Sequence, residues 1–336
     1  MRTNLTTQRD TAQAARDQAR LGTDERVYVS LAQLVRLQHK ATGYSFLPRQ
    51  PIHSILSGRY ASRLRGRGLN FEELRQYQHG DDIRTMDWKV TARTRRPHVR
   101  VYTEERDRAV LLLVDQRIHM FFGSQERMKS VVAAEAGALG AWRALGVGDR
   151  VGAIVFNDQS IEEIRPQRSK VTVMQILRTI ARVNHELRAD APVQSNSGQL
   201  NAALQKAHRL AKHDSLVVVI SDGHGADDET TRLTAQLAEH NDVLGIFLYD
   251  PLRESPKPGS GRGVVTDGRL QVELDFGDER FWERIAADYR QELDDIRTAL
   301  RKISAPLLPI STAEDVVTQI RKLIGTAARD TKSRRA

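Results

Sequence analysis

The sequence contains no cysteine, which excludes a disulfide framework, zinc fingers and every other thiolate metal site, and which fits a reducing compartment. Long apolar runs are also missing. The stretch 109–114 is among the longest, far short of the roughly 18–20 residues that span a bilayer. Residues 1–20 are polar and mixed in charge, without the apolar stretch of a secretory leader. No membrane insertion is expected, and the chain is expected to be cytoplasmic. Catalytic signatures are equally scarce. No Gly-x-Ser-x-Gly elbow occurs, and Gly259-Ser260-Gly261-Arg262-Gly263 lacks the Lys-Ser/Thr of a phosphate-binding loop. His208 and His213 lie five apart, a spacing that does not put a metal-binding pair on one helix face. The expectation is a non-enzymatic protein with no catalytic residue, no cofactor and no bound metal.

What is present is an ordinary globular composition, 40% hydrophobic and 28% charged over 336 residues, enough for one large core and a smaller region. The formal net charge of +9 raises the question of an anionic partner. Part of that charge sits at Arg329, Lys332, Arg334 and Arg335, where a solvated basic tail explains it. Between Arg59 and Arg108 there are 13 Lys and Arg against 8 Asp and Glu, a modest surplus.

The chain divides into four expected regions. Residues 1–25 lack an apolar face and read as a frayed or disordered arm. Residues 26–108 hold a short docking helix and a small β-rich region. In the helix, Val27, Leu31, Leu34, Val35 and Leu37 form the stripe, Ser30 caps it and Gly43 stops it. Residues 109–326 alternate apolar strands (109–115, 151–157, 215–221, 243–249) with helical patterns (126–145, 171–183, 199–211, 229–239), the signature of an α/β, doubly wound, mostly parallel sheet. A loop over 251–263, a hairpin over 264–276 turning at Asp267-Gly268, and a long helix from Phe281 to Ile303 follow. A last strand, 306–310, leads to a helix opened by a Ser311–Glu314 capping box. Residues 327–336 form the basic disordered tail.

An open parallel sheet places ligands outside the carboxyl ends of its strands. Asp115 and Asp222 end two central strands, and two carboxylates there have the chemistry to share a hard cation such as Mg²⁺. The arrangement resembles the von Willebrand factor A fold, in which Asp-x-Ser-x-Ser, a Thr and a later Asp build a metal-ion-dependent adhesion site. Here Arg117 and His119 stand where that resemblance calls for hydroxyls, and Gly198 stands at the Thr position. A guanidinium only donates, so it does not ligate a cation. The degenerate site, Asp115, Arg117, His119, Gly198 and Asp222, is expected to bind a protein partner, with Arg117 offering a direct salt bridge. A purely structural role, in which the aspartates cap helices and pair with Arg117, is the alternative.

A second resemblance rests on Gly68–Tyr77, then Gly80-Asp81-Asp82-Ile83-Arg84-Thr85-Met86-Asp87-Trp88, then Thr91-Ala92-Arg93 and Val99–Tyr102. This looks like the signature of the domain-of-unknown-function 58 family, in its soluble branch. The resemblance implies a von Willebrand A-like domain after the signature and a MoxR-type AAA+ ATPase as partner, in chaperone-like assembly or activation. Physically, the Asp and Arg residues of the signature suit a turn locked by Arg–carboxylate bonds with Trp88 as its apolar anchor, or alternatively a partner epitope in which Trp88 and Arg84 are exposed. Rival functions are nucleic-acid binding through 59–108 and, from Asp115 and Asp222, a metal-dependent hydrolase.

Overall fold

Ser30 opens the first helix, α1 (Leu31–Arg36), by accepting the Gln33 amide at 3.1 Å, as the stripe predicts; a 3₁₀ turn (Leu37–Lys40) follows. The computed structural model describes residues 24–41, 69–78, 81, 83–104, 108–188, 194–254, 262–266, 271–275 and 277–323. The expected arm over 1–25, apart from Asp24 and Glu25, and the basic tail over 327–336 lie outside them, as do Gly43, Gly80, Asp82 and the Asp267-Gly268 turn. The described residues form two compact units, 24–41 with 108–323, and 69–104. The helix at 31–36 therefore groups with the α/β unit.

The small unit is an antiparallel pair, β1 (Leu69–Gln76) and β2 (His98–Glu104), joined through a short helix, α2 (Trp88–Thr94). Asp87 caps α2 by accepting the Lys89 and Val90 amides, and Arg95 ends it in the left-handed region at φ 55°. Paired charges hold the connecting segment. Arg75 grips Asp81 through two bonds of 2.9 and 2.7 Å, and Arg100 bonds Asp87 at 2.8 Å. The lock by Arg–carboxylate bonds is therefore present, with Arg100 as the partner of Asp87. Trp88 is not its anchor. The indole is 66% exposed, while Val99 and Asp87 are buried.

The large unit is the expected α/β fold, a mostly parallel sheet ordered β10-β7-β6-β3-β4-β5. Its strands are β3 (Ala109–Asp115), β4 (Arg150–Phe156), β5 (Ile161–Gln167), β6 (Leu216–Ser221), β7 (Asp242–Tyr249) and β10 (Leu307–Ser311). All neighbours are parallel except β5, an antiparallel edge strand on β4. Strand β5 carries no period-two alternation: its apolar residues Ile161 and Ile164 stand three apart among charges and Pro166, the composition of a protected edge.

Strand β3 shows why both faces must be covered. Leu112 and Val114 point into one core and Leu111 and Leu113 into the other. Helices α3 (Lys129–Gly146) and α4 (Lys170–His185) cover the first face, and α5 (Gly198–Leu210) with α6 (Asp228–Ala238) the second. Each buried Leu or Val contributes about 1.5–3 kcal/mol. The α1 helix lies outside α3: Trp142 donates to the Leu34 carbonyl at 3.0 Å, and Gln33 to Glu135 at 2.8 Å.

After β7 the expected loop begins instead as a short helical turn, α7 (Pro251–Glu254). The hairpin is present as β8 (Arg262–Thr266) and β9 (Gln271–Asp275), and the long helix as α8 (Glu279–Lys302). The capping box at Ser311 is corrected. Ser311 ends β10 and its hydroxyl accepts the Ala313 amide, whereas the last helix, α9 (316–323), is opened by Asp315, which accepts the Thr318 amide at 2.9 Å. The acceptor one residue before the helix satisfies its free amides better than one four residues earlier. No helix among the described residues is long and apolar enough to cross a membrane.

Candidate functional site

Parallel register between β3 and β6 sets Val114 beside Ile220, so both strands deliver their last residues to the same crevice. There the Ser221 hydroxyl donates to Asp115 Oδ2 at 2.7 Å. The chain after β3 folds back so that the Arg117 amide donates to Asp115 Oδ1 at 2.9 Å. Its guanidinium grips the same carboxylate through Nε at 3.1 Å to each oxygen and Nη2 at 2.7 Å. Both residues are fully buried, and the Arg117 guanidinium carbon lies 5.8 Å from the centre of the Phe156 ring. Burial works against the Arg117 charge, but Asp115, Asp222 and Asp158 together hold its pKa above the ordinary value.

Asp222 has a different cation. Lys129, the first residue of α3, donates its ammonium to Asp222 Oδ2, and the His224 amide donates to Oδ1 at 3.0 Å. Burial alone would raise the Asp222 carboxyl; Lys129, the His224 amide and Arg117 overcome it and hold the group well below the usual carboxylate range. A third carboxylate, Asp158 after β4, accepts the Ile118 amide at 2.6 Å and the Asn196 amide at 2.8 Å, tying the loops after β3 and before α5 together.

A divalent ion does not fit this donor set. Every oxygen of Asp115 and Asp222 already accepts a hydrogen bond, and two fixed side-chain cations neutralise the two carboxylates. The salt bridge expected from Arg117 to a partner is corrected for the same reason: its guanidinium is buried and committed to Asp115. Of the expected helix-capping roles, the aspartates take neither; they hold the turns that follow their strands.

What reaches the surface is the rim. His119 and His224 face each other with ring centres 3.4 Å apart and planes tilted by 31°, and His119 Nε2 lies 2.6 Å from Ser195 Oγ. Burial first, then His224, lowers the His119 pKa below its ordinary value. Gly198, exposed at the start of α5, donates its amide to Asn196 Oδ1 at 3.1 Å. The structure thus brings Asp115, Arg117, His119 and Asp222 into one cluster and places Gly198 on the loop at its edge. Arg84 and Arg93 of the signature are exposed on the small unit.

Sequence reasoning missed Lys129, Asp158, Ser195, Ser221 and His224. One signal for Lys129 was legible: a cation in the first turn of a helix opposes the positive end of the helix dipole, and α3 has no acidic residue there. Such a placement makes sense when a carboxylate from elsewhere meets it.

Three comparisons bear on this architecture. The chain is 31% identical over 285 residues to Uncharacterized protein Rv1480 of Mycobacterium tuberculosis (strain ATCC 25618 / H37Rv), covering 84% of this chain and 86% of the relative. The same figures hold for Uncharacterized protein Mb1516 of Mycobacterium bovis. Among solved structures, the conserved hypothetical protein BatB from Bacteroides thetaiotaomicron is similar at a TM-score of 0.39 and 14% identity, over 66% of this chain and 99% of that one. A von Willebrand factor type A protein from Catenulispora acidiphila is similar at 0.34 and 10%, over 68% and 43%. Residues 73–295, which run from the signature through most of the α/β unit, match the family described as Protein of unknown function DUF58, and the chain belongs to that family.

Proposed function

We propose that the protein is a non-enzymatic adaptor that binds a protein partner on the strand-end rim of His119, His224, Ser195 and Gly198, with the buried charges beneath as scaffold. The observation that carries this reading is the internal satisfaction of both crevice carboxylates, Asp115 by Arg117 and Ser221 and Asp222 by Lys129 and the His224 amide. Committed carboxylates are poor general bases and poor metal ligands. The nearest approach to a nucleophile and base is Ser195 with His119. Among the described residues no carboxylate bonds the other ring nitrogen, so the His119–His224 contact does not complete a triad. We read that contact as fixing the 194–197 loop to the rim.

The family signature supports a MoxR-type AAA+ ATPase as the partner, in the cytoplasm, with the nucleotide chemistry supplied by that partner because this chain lacks a phosphate-binding loop. Nucleic-acid binding is less well supported, since Arg75 and Arg100 in the basic stretch are committed to Asp81 and Asp87. The test is affinity capture from native cell extract with ATP or a non-hydrolysable analogue, comparing the wild type with a Gly198→Arg/His224→Glu variant. Nucleotide-dependent recovery of an AAA+ ATPase, lost in the variant, is expected. Unchanged recovery by a folded variant overturns the rim as the site; recovery of no such ATPase under either nucleotide overturns the partner.

A further inference from the structure

We propose a second binding site, which adjoins the strand-end crevice through Ser221, Gly223 and Gly225 but does not include His119, His224, Ser195 or Gly198: the cavity beneath helix α8 takes a small amphipathic cation, an apolar body bearing an amine or guanidinium group. The cavity has a volume of about 640 Å³, within the roughly 300–1,000 Å³ of small-ligand sites. Its floor is the outer face of β6 and β7 with α5 beside it, supplied by Leu204, Val219, Val243 and Phe247, and its roof is α8, through Ile296 and Leu300.

The sequence of α8 explains why space remains there. In its first half Trp282, Ala286, Tyr289 and Leu293 are buried. Ile296, Leu300 and Ile303 continue the stripe at helical spacing but are only half-buried, because they overhang the cavity. Apolar walls facing a gap forgo the contacts that a closed core would make, so an apolar ligand gains from both sides at once.

The rim decides the charge of that ligand. Asp288, Glu292 and Asp295 line it from α8, at spacings of four and three that place them on one face. Asp227 and Asp228 line it from the opposite wall. Among the described residues no lysine or arginine lines the cavity, in a chain whose formal net charge is +9. The N-terminus of α6 opens here, a place that by itself favours an anion, but Asp227, Asp228 and Glu229 already complement it. The rim also shows its own preference: Glu292 holds the Arg253 guanidinium at 2.8 Å. Asp227 is engaged by the Thr230 amide and Asn201, which leaves Asp228, Asp288 and Asp295 to meet the cation, Asp295 through the oxygen that does not accept Gln291 Nε2 at 2.9 Å. In a half-enclosed site such pairs attract more strongly than in water, and an anion is repelled by the same groups.

Calorimetric titration of the full chain with three matched probes, phenylbutylamine, phenylbutanol and phenylbutyrate, tests the inference. The amine is expected to bind at least about tenfold more tightly than the acid, with the alcohol between. Asp288→Asn/Asp295→Asn, both exposed, should remove the amine's advantage while leaving the alcohol unchanged. Ala299→Trp, which fills the cavity, should abolish binding of all three. Equal affinities, no binding of any probe, an amine advantage that survives the charge variant, or retained binding in a folded Ala299→Trp protein would each overturn it.

Discussion

Lys129 gives its ammonium to the Asp222 carboxylate in the crevice at the carboxyl ends of β3 and β6, both side chains buried. Together with Arg117 on Asp115, it makes a crevice whose positive charge is covalently part of the chain. A site of this kind is charge-balanced without recruiting an ion, and that balance is set by sequence alone.

That balance predicts a strong asymmetry between single and paired substitutions. Arg117→Met leaves the Asp115 carboxylate buried with only Ser221 and the Arg117 amide position as donors, and removing one member of a buried pair costs about 3–5 kcal/mol. Arg117→Met combined with Asp115→Leu removes both charges and should recover much of the loss. Urea denaturation of the two variants measures the difference. A double variant no more stable than the single one would mean that the pair does not carry the crevice.

Divalent ions should leave the wild type unaffected. A ligand that binds only the native state raises its melting temperature by mass action, and neither Asp115 nor Asp222 has an unengaged carboxylate oxygen to offer. Melting curves with millimolar Mg²⁺, Mn²⁺ or chelator are expected to superimpose. A metal-dependent rise would show that Lys129 or Arg117 yields its place.

The fold was legible because its central strands are apolar on both faces and its helices carry clear stripes, as Leu111–Val114 and Phe281–Ile303 show. The crevice was legible only in part. Asp115 and Asp222 follow from strand ends, but the burial of Arg117 depends on a turn that brings its amide and side chain to the same carboxylate two residues back. No periodicity encodes such a turn. Lys129 is 93 positions from Asp222, and pairings at that range are fixed by topology. Trp88 misled for the opposite reason, since the short helix it opens leaves it facing solvent.

Gly152, in β4, sits where the register with β5 shifts. A Cβ there would lie 2.4 Å from the Ile164 carbonyl oxygen and 2.6 Å from the Pro166 nitrogen, both backbone atoms that cannot swing aside. Gly152→Ala should therefore destabilise the unit by about 1–3 kcal/mol and loosen the edge strand. Equilibrium unfolding reads the loss, and hydrogen exchange of the β5 amides should rise with it; wild-type values for both would contradict the close approach.

Trp88 and Ile83 are the most exposed large apolar side chains of the small unit, at 66% and 60%. Exposed substitutions away from caps and cores usually change stability by no more than about 0.5 kcal/mol, so Trp88→Ala should melt with the wild type. An aromatic hot spot, by contrast, costs about 2 kcal/mol or more of binding when truncated. Loss of partner capture with unchanged melting would assign the epitope role; a large drop in melting temperature would return Trp88 to a structural role.

The His119–His224 pair makes stability depend on pH in one direction. His119 is lowered from its ordinary 6.5 by burial first and by His224 next, with Lys129 and Arg117 adding to the effect and Asp222 opposing it. Between the folded value and 6.5 the unfolded chain binds a proton that the native state does not. Stability therefore rises with pH through that window, is fully present above the unfolded value, and is lost as pH falls through it. The urea midpoint should drop between about pH 7.5 and about pH 5.5, and less so in His119→Gln, which keeps a polar group near Ser195 while removing the titration. Equal drops in both proteins would place the acid sensitivity in another group that titrates in that window; Asp222, lowered on folding from an ordinary 3.8, acts only at lower pH.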